Sequence, residues 1–316
     1  MLTYLAKRLL LALPVALGVG LVCFLLVYLA PGDPISASVS ADTPQDVVDQ
    51  LRRDYGLDRP LPLQFATWAM RVARGDLGTS IATGRPVAEE IRAAASNTMI
   101  LGVAAAAIGF PFGILLGFLG GWFRGGWIDR LASLVGVVGV SVPHYWLGMV
   151  LVAIFSVWLG VMPAMGAGPI GGSWEWDWEH LRYLVLPAIA LSVIPTAITM
   201  RTVRAAVGDT LDQEFVEALH AKGLSSRRVL MHVVKNTAST TLAVVGLQFG
   251  YLLGGSILVE IIFSWPGTGT LMNNAIAQRD LPLLQGTVVV LAMFFVLLNL
   301  MVDVLQTLID PRIVRT

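Results

Sequence analysis

Charge is scarce in this chain: 13% of its 316 residues are Asp, Glu, Lys or Arg, whereas 56% are hydrophobic. So few polar side chains cannot cover the surface of an ordinary soluble domain. Acids and bases balance to a net charge of zero, which removes the basic footprint of a nucleic-acid binder. Cysteine is nearly absent, and the single Cys23 excludes a disulfide framework. Lysine is rare too. None of Lys7, Lys222 and Lys235 stands in a Gly-x-x-x-x-Gly-Lys-Ser/Thr loop, so the chain has no phosphate cradle for ATP. There is no His-Glu-x-x-His and no Gly-x-Ser-x-Gly. His144, His180, His220 and His232 are scattered without metal-ligand spacing. No catalytic residue, metal ligand or bound cofactor is therefore expected here.

What the chain does have is long uncharged runs. The first, Leu9–Ala30, is 22 residues long and continues into PGDP rather than a small-residue cleavage site, so it reads as a retained span. Others lie between Arg92 and Arg124, Arg130 and Glu175, Arg182 and Arg201, Lys235 and Glu260, and Asp280 and Asp303. Spans are expected near Asn97–Gly121 and Leu131–Leu159, in the 18 uncharged residues before Arg201, and in the last two runs. A helix rises about 1.5 Å per residue and a bilayer core is about 30 Å thick, so each run can cross. Backbone groups must be satisfied internally there, which leaves helices. The expected fold class is an all-α polytopic membrane protein with six transmembrane helices.

Loop charge sets the orientation. The loop from Arg201 to Lys235 carries six Lys/Arg against four Asp/Glu, and Lys7 and Arg8 precede the first span. By contrast, WEWDWEHLR at 174–182 is acidic. Both termini and the 201–235 loop are expected on the cytoplasmic side of the membrane. The domain reading is a transmembrane helix at 1–30, an extracytoplasmic helical segment at 31–95, a core at 96–308 with a cytoplasmic loop at 205–236, and a tail at 309–316. In the outer segment, Thr43 and Pro44 suit a helix start and Gly56 a stop. Further helices are expected at Pro62–Arg74, ended by Gly75, and at Val87–Ala95.

Two glycine rhythms stand out. Gly109, Gly113, Gly117 and Gly121 recur every four residues, as do Gly246, Gly250 and Gly254. Small residues at this spacing share a helix face and admit a second backbone, either within the protomer or at a moving or inter-subunit contact. Polar groups within the apolar runs are few. Glu260 and Gln248 are the candidates for a gate or pathway contact, against the alternative that Glu260 is a bonded helix-end carboxylate.

The cytoplasmic loop holds DTLDQEFVEALHAKGLSSRRVLMHVVKN, residues 209–236. Thr210 and Gln213 fit a capping box. Leu211, Phe215 and Leu219 form an apolar stripe, and Gly223 suits a left-handed stop. Ser225 can cap a second helix. Such a short amphipathic helix could lie on the membrane, dock on its own protomer or enter a partner's groove.

Glu217-Ala218-Leu219, then three residues, then Gly223, resembles the EAA loop of bacterial ABC-transporter permeases. AKGLSSRRV at 221–229 is similar to the form found in the dipeptide/oligopeptide/nickel import branch. LAPGDP (29–34), YGLDRPL (55–61), GDLGTS (75–80), LPAI (186–189), ILVEIIFSWPGTG (257–269), RDLPLLQG (279–286) and VDVLQTLIDPR (302–312) resemble that branch as well. Leu219 and Lys235-Asn236 depart from the general pattern, where a second alanine and Leu-Pro are usual. The resemblance implies a type I ABC importer-like fold. It implies a permease that transports peptides or a related small solute by alternating access and is not itself an enzyme. Its partners would be a second homologous permease, two cytoplasmic ATPases carrying ATP and Mg, and an extracytoplasmic solute-binding protein. Leu211, Glu214, Phe215, Glu217, Ala218, Leu219, Ala221, Lys222 and Gly223 would then form the helix-turn that couples to the ATPases.

Overall fold

The computed structural model describes residues 10, 14–15, 17–22, 24–25, 44–54, 56, 58–169 and 174–309, the side chains of 51, 54, 303 and 305–309 excepted. Expectations for the first span, LAPGDP, Thr43 and the tail lie mostly or wholly outside these residues. The described chain is helical, with one isolated antiparallel bridge between Thr79 and Pro86. It divides into two compact units, residues 1–98 with 266–297 and residues 99–265 with 298–316.

The first unit holds α1 (Gln45–Asp54), α2 (Leu61–Ala73) and α10 (Thr268–Ala277). Pro60 caps α2 in extended geometry, and Gly75 (φ +81°) follows its end. Val87, Ile91, Ala275 and Leu283 form the core, with Leu77 and Leu271 packed against it. A buried carboxylate holds this unit together. Asp280 Oδ2 accepts the Ser80 hydroxyl (2.5 Å) and the Ala82 N–H (3.1 Å), while Oδ1 accepts the Leu283 N–H (3.1 Å). The GDLGTS and RDLPLLQG segments, 200 residues apart, thus meet at one acid. Gly286 completes the fit, because a Cβ there would lie 2.8 Å from Val87.

α3 runs unbroken over Val87–Trp122. The short helix expected at Val87–Ala95 is its first part, since residues 93–98 contain no breaker and a charge at Arg92 marks a change of solvent rather than a helix end. The span expected at Leu131–Leu159 is instead a bent pair. α4 (Trp127–Ser141) and α5 (His144–Leu151), which passes into a π-helical turn at Val152–Trp158, meet at 95°. Pro143 lacks an N–H and holds Val142 extended (φ −85°, ψ 120°), so the helix cannot pass.

α6 (Trp178–Leu211) absorbs both Pro187 and Pro195 without interruption. At 34 residues it is about 51 Å long and overreaches a bilayer core. α7 is Glu214–Ala221, α8 Ser226–Gly254, α9 Ile257–Ile262 and α11 Leu281–Ile309. Among the described residues, three helices are long and apolar enough to cross a membrane: Val87–Trp122, Trp178–Leu211 and Leu281–Val302. The bent pair makes a fourth. α8, the expected fifth span, is one 29-residue helix in which Thr237, Ser239, Thr240, Thr241 and Gln248 dilute the apolar run.

In the second unit α6 is the central post. A Cβ on Gly109, Gly113, Gly117 or Gly121 of α3 would come within 3.1, 2.7, 2.5 or 2.7 Å of the carbonyl oxygens of Ser192, Thr196, Met200 and Arg204. The glycine stripe therefore packs backbone to backbone along α6, within the chain. On another side a Cβ on Gly139 of α4 would meet the Ala197 methyl at 2.8 Å. Leu101, Leu191, Leu252, Phe263 and Trp265 fill the core around it.

Candidate functional site

The 209–236 segment folds as a joint between α6 and α8. α6 continues through Thr210, whose hydroxyl donates to the Ala206 carbonyl (2.7 Å) rather than capping a new helix. Leu211 is therefore the last residue of α6 and not the first of the short helix. Asp212 and the extended Gln213 make the turn, and Gln213 caps α7 with no side-chain bond. Both features follow from one ambiguity. A threonine followed three residues later by glutamine satisfies a capping box, but in a helix its hydroxyl bonds back to residue i−4 equally well.

α7 ends in a Schellman motif. The Gly223 N–H donates to the His220 carbonyl (2.9 Å) and the Leu224 N–H to the Leu219 carbonyl (3.2 Å). Gly223 holds φ +73°, the left-handed region that glycine enters without strain. Leu219 and Leu224, the residues bridged by that bond, both pack on one apolar cluster.

That cluster settles which way α7 faces. Val216 is 3% exposed and joins Val203 and Val207 of α6 with Val229 and Val233 of α8. Leu211, Phe215 and Leu219 are half-buried against the same group, together with Ile114, Phe118 and Trp122 of α3. The apolar stripe thus packs on the chain's own helices. The outward surface consists of Glu214, Glu217, Ala218, His220, Ala221, Lys222 and Gly223. Val216 is the buried anchor that the stripe pattern missed, because Leu211 appeared to complete a four-residue rhythm that skips it.

Two ion pairs brace the joint. Arg124 Nη1 lies 2.6 Å from Asp212 Oδ2 at the surface. Arg204 of α6 pairs with Asp129 at the start of α4, and Asp129 also accepts the Gly125 N–H (2.9 Å). No local signal joins residues 88 or 75 positions apart in sequence.

The remaining candidates are dispersed. A Cβ on Gly246 would overlap Val302, and Gly250 is buried, but Gly254 has nothing within 4 Å and packs no backbone. Glu260 is fully buried; its Oε1 accepts the Ser256 hydroxyl (2.8 Å) and its carbonyl accepts the Trp265 N–H (2.8 Å). It is built into the turn between α9 and the Trp265 loop. Gln248 is buried with Oε1 unsatisfied among the described residues. The described residues contain no cluster of three metal-ligating side chains.

Comparison with known proteins places this architecture. Residues 109–315 match the family described as binding-protein-dependent transport system inner membrane component, and residues 1–90 match its N-terminal companion. The chain is 39% identical to the glutathione transport system permease protein GsiC of Pectobacterium atrosepticum, with 99% of both chains covered. It is 37% identical to the dipeptide transport system permease protein DppB of Alkalihalophilus pseudofirmus, again over 99% of each. Among solved structures it resembles a chain of the MetNI methionine ABC transporter with TM-score 0.52 and 15% identity, covering 71% of this chain and 96% of that one. This last likeness bears on fold. The chain belongs to the family of binding-protein-dependent transport system inner membrane components.

Proposed function

We propose that the chain is one of two permease subunits of an ATP-driven importer for peptides or glutathione-like solutes, working by alternating access with both termini cytoplasmic. ATP and Mg reside in two separate ATPase subunits, and an extracytoplasmic binding protein delivers the solute. The observation that carries the coupling role is the joint itself. Val216, Phe215 and Leu219 lock α7 onto α3, α6 and α8, and this leaves a small-residue and charged face outward. A helix clamped on one side and open on the other transmits displacement to the bundle. The surface that meets the ATPase is therefore Glu214, Glu217, Ala218, Ala221 and Lys222, rather than the apolar stripe.

Ala218→Trp tests this. The side chain is exposed, so the permease should fold and insert normally. A bulky ring at the contact should abolish ATPase co-purification in mild detergent and solute-stimulated hydrolysis. Normal co-purification and uptake would reject the assigned face, and a wild-type chain isolated without ATPases would reject the import reading.

A further inference from the structure

α6 and α8 are apolar and filled on the face toward Val203, Val207, Val229 and Val233. A different face of the same two helices is open and mixes polar groups with Ile198, Ala205 and Ala206. Between them runs a groove of about 680 Å³, lined by Arg201, Thr202, Asp209, Gln213, Asn236 and Thr240 among others. It starts at Gln213, the residue that caps α7, and reaches Ile198 and Thr240. Those two lie inside the uncharged runs 183–200 and 236–259, so the groove enters the membrane portion from the α7 end.

Two of its lining residues are charged. Arg201 and Asp209 are both exposed, and neither makes an ion pair among the described residues. Both fall on the groove side of α6 and stand eight residues apart, about 12 Å along the axis. Ionisable groups at the end of a span that remain unpaired call for water or a polar ligand beside them, not lipid. The volume lies within the roughly 300–1,000 Å³ typical of small-ligand pockets. One cation, one carboxylate and hydroxyl and amide groups between them match an extended zwitterion. A tripeptide spans about 10 Å at ~3.3–3.6 Å per residue.

We infer that this groove is the coupling-side vestibule of the solute path, with Arg201 receiving the carboxylate and Asp209 the ammonium end of a short peptide. The inference rests on the import reading above and adds the path-lining residues to it. Its placement also accounts for why motion of α7 opens or closes the path. Gln213 belongs to the groove and to the α7 cap at once, so displacement of α7 moves the groove wall.

The test uses the assembled complex in inside-out vesicles, with Cys23→Ser as background and Thr202→Cys, Ala205→Cys or Thr240→Cys added singly. A membrane-impermeant methanethiosulfonate should label all three without nucleotide, and labelling should slow about tenfold when ATP and vanadate trap the ATPases closed, a change of the size given by a modest population shift. Labelling by a lipid-soluble maleimide alone would place the groove in lipid and overturn the proposal. Equal labelling in both states would make it a static surface, and no labelling in either would make it a buried contact with the second permease; each overturns it too. With trialanine as probe, Arg201→Gln and Asp209→Asn should each raise KM about tenfold, the loss of one charge-assisted hydrogen bond, with ATPase co-purification intact. Unchanged KM in both variants would remove the charge assignment. Loss of the ATPases from the wild-type complex would instead sink the import reading, which separates the two failures.

Discussion

Two glycines with the same sequence spacing have opposite surroundings. Gly117 faces the Met200 carbonyl so closely that a Cβ would sit 2.5 Å away, in a helix pair whose backbones cannot separate locally. Gly254 has empty space around it. Gly117→Ala should therefore destabilise the bundle by about 1–3 kcal/mol through overpacking, whereas Gly254→Ala should be neutral or slightly stabilising. Thermal melting of the detergent-purified permease distinguishes them, and equal melting shifts would show that the α3–α6 contact is not close-packed. Asp280 is a different kind of residue. Its carboxylate holds three donors in a buried site, so Asp280→Ala strands the Ser80 hydroxyl and two backbone N–H groups. A loss of about 3 kcal/mol or more is expected, read as faster protease cleavage within residues 78–86. Protease resistance equal to wild type would mean the acid is not what holds that loop.

Among elements, α6 shows how a helix start responds to pH. Asp177 caps it, accepting the His180 backbone N–H at 2.8 Å, with the His180 ring Nδ1 at 2.6 Å from the same oxygen. The backbone N–H and then the ring hold the Asp177 carboxyl below its ordinary value. A carboxylate with a lowered folded pKa stabilises above its unfolded pKa, near 3.8, and that contribution is lost as pH falls through the still lower folded value. Protection of the amides of residues 179–181, their exchange measured against the intrinsic rate at each pH, should thus be high at neutral pH and fall only on strong acidification. The Asp177→Asn variant should lack that acid dependence; an identical profile in both would exclude the cap. The Asp177 cap was not read from the sequence, where the span was bounded by Arg182, but helix ends were legible where glycine supplies the geometry, as at Gly75 and Gly223. A kink at Pro143 was legible, because proline removes a backbone bond, but its extent, a 95° break, was not, because charge was used to mark span ends and Pro143 lies in an uncharged run. The stripe of Phe215 and Leu219 was legible as apolar, but periodicity reports that a face is buried and not which molecule buries it. Ser80 and Asp280 were quoted as separate motifs, and only folding joins them.

For the molecule as a transporter, the decisive property is that the joint connects to an unbroken shaft. α8 runs 29 residues from Ser226 to Gly254, about 44 Å, and passes through Lys235-Asn236, where Leu-Pro is usual in the general pattern, without a kink. Asn236 donates to the His232 carbonyl and Thr237 to the Val233 carbonyl, so these polar side chains are satisfied within the helix itself. On the coupling role proposed above, a displacement of α7 would be carried along α8 as rigid motion rather than dissipated at a hinge. Val234 is a half-exposed position of this shaft, away from the outward face of α7. Val234→Pro removes one helix hydrogen bond and clashes with the preceding turn, a local penalty of about 3 kcal/mol that a long helix relieves by kinking. The ATPases should still co-purify and hydrolyse ATP, because their contact face is untouched, while solute uptake falls at least tenfold; Val234→Ala should transport normally. Uptake that survives in the proline variant would show that α8 is not the transmitting element. Motion from α7 would then have to pass through α6 and its glycine-lined contact with α3, where Gly117→Ala would be the substitution that uncouples.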